Sequence, residues 1–118
     1  MTIEECYNQL KGDYSDAKSR LGSDSLIEQF IMMFPRDKTM ETLRKAVAEG
    51  NIEESFRAAH TLKGLAANLS FTKLAQASSN LTEQLRPLKQ KADPEMVAEI
   101  EALYKLVMET LESYKDKG

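Results

Sequence analysis

Apolar residues recur every three or four positions along almost the whole of this chain, and that spacing leaves little choice of secondary structure. Ile3, Cys6, Tyr7 and Leu10 fall on one face of a first helix, behind a capping box of Thr2 and Glu5. Gly12 offers that helix a stop, and residues 13 to 20 can add a short helical turn carrying Tyr14 and Ala17 before Gly22 and Ser23 mark a boundary. Leu26, Ile27, Phe30, Ile31 and Phe34 form the clearest apolar stripe of the first half. Pro35 ends that helix or kinks it, or equally sits in the first turn of the next. The next helix, about 36 to 49, buries Met40, Leu43, Ala46 and Val47 and closes at Gly50, which suits a left-handed C-cap.

Asn51, with Glu54 three residues on, restarts the chain as a helix cap, and Glu53 and Glu54 favour the positive end of the helix dipole. A further helix from about 72 to 86 uses Leu74, Ser78, Leu81 and Leu85 as its inner face, and Pro87 limits it. Asp93 and Pro94 open a long last helix, with Met96, Val97, Ile100, Leu103, Tyr104, Val107, Leu111 and Tyr114 as its stripe. No segment alternates apolar and polar residues, and no hairpin signal lies between apolar runs. The expected fold is all-α: an antiparallel four-helix bundle with an additional short N-terminal helix, residues 1–118 forming one domain.

Charge excludes several classes of function. The net charge is −3, with lysine and arginine spread over most segments, so no basic stripe offers a footprint for nucleic acid. The longest apolar run, Leu26 to Phe34, is broken by Glu28 and Gln29 and is far shorter than the roughly 20 residues that span a bilayer. No membrane segment is expected. The single Cys6 cannot form an internal disulfide and the N-terminus lacks the basic and apolar regions of a secretory signal, which suits the cytoplasm.

The stretch FRAAHTLKGLAANLS, residues 56 to 70, holds the only histidine, His60. With about 100° of rotation per residue, Ala58, Leu62, Leu65, Ala66 and Leu69 gather opposite His60 and form the core face. His60 therefore points outwards, on a side shared with Glu53, Phe56, Arg57, Lys63, Gly64 and Ala67. Gly64 lies inside the helix, where glycine costs about 1 kcal/mol relative to alanine, so the space beside it is expected to matter more than helix propensity. Phe56 is either a partner anchor or a core residue of a tilted helix. Lys63, one turn from His60, is placed to neutralise an anion carried on the ring.

A neutral imidazole presents a nucleophilic nitrogen near neutral pH and can accept a phosphoryl group. Structural zinc needs about four ligands, and no acidic residue stands three or four places from His60 or Cys6, so no metal site is expected. A triad hydrolase would need a serine elbow and an oxyanion loop, and a kinase a phosphate-cradling glycine loop; neither is present. Any phosphate must then come from another protein, and no autonomous kinase activity is expected.

These residues resemble a known family. AHTLKG, Ala59 to Gly64, is similar to the signature of histidine-containing phosphotransfer (HPt) domains of multistep two-component phosphorelays, and the following FTKLAQASSNLTEQL is similar to that family's next helix. The resemblance implies that His60 is the phosphorylated residue, that Lys63 steadies the phosphoryl oxygens, and that Gly64 lets the partner's acidic pocket approach. Phe56, Arg57, Gly64 and Ala67 would be the docking surface. The partners implied are receiver domains, with a hybrid sensor histidine kinase as a further source of phosphate. The receiver would bring the aspartate and Mg2+, and this chain, as a monomer, no cofactor of its own. Family members often have glycine where this chain has Ser70, which is then expected to cap the following helix.

Two rivals stand beside this reading. A non-catalytic helical adaptor would bind its partner through the patch around Phe56, and only acid-labile phosphate on His60 separates it from a carrier. The phosphoacceptor region of a sensor kinase normally follows its histidine with an acidic residue and a nearby proline, whereas Thr61 and Lys63 follow here.

Overall fold

A computed structural model of the chain describes residues 1–117. Seven α-helices and one 3-10 turn make up the described residues, with no strand among them. The first helix, α1 (Ile3–Leu10), starts at the expected capping box: Glu5 donates its N–H to the Thr2 hydroxyl at 3.0 Å, and Thr2 donates to the Glu5 carboxylate at 2.8 Å. Its stop is not Gly12 but Lys11, which takes the left-handed conformation at φ 63°. Gly12 serves a close approach instead. The Ser70 carbonyl passes so near that a Cβ on Gly12 would lie 2.7 Å from its oxygen, and that oxygen accepts the Asp13 N–H at 2.9 Å.

The short α2 (Tyr14–Leu21) is capped by Asp13, and α3 (Asp24–Ile31) by Ser23. The chain thus places three short helices ahead of the bundle. The stripe from Leu26 to Phe34 does not stay helical throughout, because Phe34–Arg36 forms a 3-10 turn with Pro35 at its start. Pro35 therefore opens a turn and does not kink a helix, and α4 begins only at Thr39.

The bundle itself consists of α4 (Thr39–Glu49), α5 (Ile52–Asn68), α6 (Thr72–Leu85) and α7 (Pro94–Lys117). Short connections make sequential helices antiparallel neighbours. Gly50, at φ 67°, ends α4 as expected, and the Asn51 side chain accepts the Glu54 N–H at 3.0 Å to start α5. Asp93 accepts from the N–H groups of Glu95 and Met96 at the head of α7. Inner-face residues Met40, Leu43, Leu62, Leu74, Leu81, Leu85, Ile100, Val107 and Leu111 are buried together. The ring of four closes where Arg44 of α4 makes a two-pronged ion pair with Glu101 of α7 at 2.7 and 2.9 Å and lies 5.3 Å from the Tyr104 ring.

The N-terminal helices cover one end of the bundle through aromatic packing. Tyr7 donates its hydroxyl to the Leu69 carbonyl at 2.7 Å, and its ring sits 5.7 Å from Phe71, which also meets Phe34 edge-on at 5.3 Å. Ser70 belongs to this junction and not to a cap. It follows the C-cap of α5 in the left-handed conformation, φ 58°, so that Phe71 takes the N-cap position of α6 and the Ser70 hydroxyl donates to Asp16 at 2.6 Å. A left-handed turn of this kind between two helices is the conformation that glycine takes most readily.

Candidate functional site

Helix α5 lies between α4 and α6, so only a strip of its surface reaches solvent. His60 is on that strip and is exposed. Leu62, Ala58, Ala66 and Leu69 are buried as the periodicity requires, and Ala59 is buried as well. Leu65 departs from expectation: it is only half-buried, because the side of α5 that it faces meets the N-terminal helices across a groove and not a closed core.

On the α6 side of the strip, the His60 ring stacks on Phe56 with centroids 6.2 Å apart and planes 12° from parallel. Phe56 is half-buried against the core, and the Arg86 guanidinium lies 5.4 Å from the centroid of its ring. Of the two readings of Phe56, the core one holds in part: it packs inwards, and its ring stacks on the imidazole. Arg86 is held in turn by Glu83 at 2.7 Å. The Arg86 guanidinium keeps the Glu83 carboxyl below its usual range, and the charges of Lys63 and His60 add to the effect, which places all four groups in one electrostatic neighbourhood. Sequence reading from α5 alone missed Glu83 and Arg86. The signal available was their spacing of three on α6, off the buried stripe of that helix.

Lys63 is half-buried, and among the described residues its ammonium has no hydrogen-bond or ion-pair partner within contact distance. A cation left without a close partner is available to an incoming anion. Arg57 is not: it is exposed but paired with Glu54 at 2.6 Å and Glu53 at 3.3 Å. Gly64 is exposed, and a Cβ built on it would meet nothing within 4 Å. Nothing in the folded chain itself therefore calls for glycine there. Ala67, one turn beyond Lys63, is half-buried. Of the residues expected to form the site, His60, Lys63, Gly64 and Phe56 share one face of α5, with Arg57 and Ala67 at its margins.

Among the described residues no three His, Cys, Asp or Glu side chains gather as a metal site, and no helix is long and apolar enough to cross a membrane. Cys6 is buried on the inner face of α1, and burial pushes its thiol up to about 11.

No curated protein and no solved structure matches the chain. A family does. Residues 25–112 match the family described as Hpt domain, a span that begins inside α3, leaves α1 and α2 outside, and ends within α7. Because that span takes in three-quarters of the chain, including α4, α5, α6 and the strip that carries His60, the chain belongs to the Hpt domain family, whose members carry phosphoryl groups on histidine in phosphorelays.

Proposed function

We propose that His60 is the phosphoacceptor of this Hpt domain, taking a phosphoryl group from the phospho-aspartate of one receiver domain and passing it to the aspartate of another. The observation that supports this most is the exposure of the only imidazole, one turn from a cation without a close partner and from a glycine with open space above it. A lone pair of the neutral ring attacks phosphorus in line. The N–P bond forms as the P–O bond to the donor aspartate breaks, the aspartate leaves as a carboxylate, and the ring's remaining N–H proton can pass to solvent. Onward transfer runs the same step in reverse.

Positioning and charge stabilisation are most of what phosphoryl transfer needs, so a rigid helix can suffice on this side. The stack on Phe56 restricts rotation of the imidazole, and Lys63 faces the roughly −1.5 to −2 charges that the phosphoryl group brings. The receiver contributes Mg2+ in its acidic pocket. The carrier works as a cytoplasmic monomer, residues 1–118 acting as one domain, with Phe56, Arg57, Gly64 and Ala67 against the receiver and a hybrid sensor kinase as one source of phosphate.

The test is direct. Wild-type protein incubated with a receiver charged with labelled phosphate should take up label that acid removes and alkali does not. His60→Gln should take none while its helical circular dichroism is unchanged, since an exposed side chain contributes little to the core. No label on wild type would leave the adaptor reading in its place, and label on His60→Gln would move the phosphoacceptor to another residue.

A further inference from the structure

The ring of Phe56 is shared. The His60 imidazole stacks on it at 6.2 Å, and the Arg86 guanidinium lies 5.4 Å from its centroid, so the end of α6 brings a second cation into the surroundings of the imidazole. That cation is already occupied. Glu83, one turn back, accepts from Arg86 with both carboxylate oxygens, from Nη2 at 2.7 Å and from Nε at 3.0 Å. The two side chains are 56% and 51% exposed, and a surface pair of this kind contributes little to stability, so the fold has small need of it.

The fixed charges around His60 cancel. Those on α5 are Glu53, Glu54, Arg57 and Lys63, and the end of α6 adds Glu83 and Arg86, so three carboxylates stand against three cations. Arg57 is committed to Glu53 and Glu54, and Arg86 to Glu83, which leaves Lys63 as the cation of this group without a close partner. A phosphoryl group brings roughly −1.5 to −2 charges into this balanced setting. Arg86 does most to hold the Glu83 carboxyl below its usual range, and the charges of Lys63 and His60 lower it further, so Glu83 and His60 act on one another. Coupling between two sites is reciprocal. A carboxylate that gains from positive charge at the imidazole is therefore opposed to negative charge there.

We propose that Glu83 sets the equilibrium of phosphoryl transfer against the phosphohistidine: by occupying Arg86 it withholds the second cation from the phosphoryl oxygens, so that His60 passes its phosphoryl group on instead of storing it. This rests on the carrier reading above. No bond changes at Glu83 or Arg86; the N–P bond to His60 forms as the P–O bond to a receiver aspartate breaks, and the reverse step restores both. Glu83 is thus a positioning residue, working through Arg86 and through its own charge. A group that only assists the transfer step speeds both directions alike, whereas this pair moves one direction against the other.

The experiment follows labelled phosphate in both directions between this protein and one receiver domain, charged with acetyl phosphate and Mg2+ and then freed of the donor, and takes the ratio of forward to reverse rate constants. Glu83→Gln frees Arg86 and removes a negative charge, and should shift the equilibrium about threefold towards phosphohistidine, the size expected of a screened surface charge. Arg86→Gln leaves the carboxylate uncompensated and should shift it about threefold the other way. The double variant, with neither charge, should return to within about twofold of wild type. Both single shifts should shrink as salt rises. Glu109→Gln, the same change at an exposed position of α7, should leave the ratio unchanged. Ratios equal to wild type in both single variants, or shifts of the same sign, as a disturbance of α6 would give, overturn the role of Glu83 alone. Wild-type protein that no charged receiver labels would overturn the carrier reading, and this inference with it.

Discussion

Gly64→Ala adds one methyl group at an exposed, interior position of α5, where nothing in the folded chain lies within 4 Å of it. Alanine is favoured over glycine inside a helix by about 1 kcal/mol, and here no contact opposes that gain. For a chain of 118 residues this corresponds to a rise in Tm of roughly 3 to 6 °C. The same methyl projects only about 40° round the helix from His60 and about 6 Å along it, into the space that a partner's pocket must enter. Inserting a methyl into a close-packed contact costs about 1 to 3 kcal/mol, so phosphotransfer should slow by roughly 5- to 150-fold. Thermal unfolding followed by circular dichroism and single-turnover transfer from a charged receiver read the two effects separately. A fall in Tm would show that glycine serves the fold of α5. Unchanged transfer would show that the clearance beside His60 is not used.

Gly12→Ala is the opposite case: its methyl would meet the Ser70 oxygen at 2.7 Å and Tyr7 at 2.8 Å, and the Ser70 backbone is pinned by the Asp13 N–H, so urea unfolding should show a loss of about 1 to 3 kcal/mol. Lys63→Ala should slow transfer or shorten the phosphohistidine lifetime by about tenfold or less, a loss that shrinks as salt rises, because solvent screens a half-exposed charge; complete inactivity would mean that lysine does more than supply charge. Stability should fall in alkali. Burial raises the Cys6 thiol from 9.0 to about 11, so the unfolded chain loses that proton above pH 9 while the folded chain keeps it until about pH 11, and unfolding free energy drops by up to about 1.4 kcal/mol per pH unit between them. The buried Tyr7 hydroxyl is raised as well and extends the effect upwards; Cys6→Ala, measured by urea unfolding across the same range, should flatten the lower part of the slope, and an unchanged slope would refute the assignment.

Helix positions and the direction of His60 were legible in the chain because both depend on local periodicity. Caps at Thr2, Asn51 and Asp93, the left-handed Gly50, and the burial of Leu62, Leu74, Leu81 and Ile100 all follow from spacing within one element. An outward histidine in a helix whose opposite face is Ala58, Leu62 and Ala66 needs no knowledge of what that face packs against.

What only the tertiary structure decided is what lies beside each helix. A helical wheel cannot tell a core from a groove, so Leu65 read as buried when it is only partly covered. Gly12 looked like a helix stop because its reason, the passing carbonyl of Ser70, is 58 residues away in sequence. Ser70 looked like a cap, but its left-handed backbone turns the hydroxyl to Asp16. Glu83 and Arg86 joined the surroundings of His60 only when α6 was laid against α5. Periodicity specifies which way a side chain leaves its own helix; what it meets there depends on contacts distant in sequence, which no local pattern encodes.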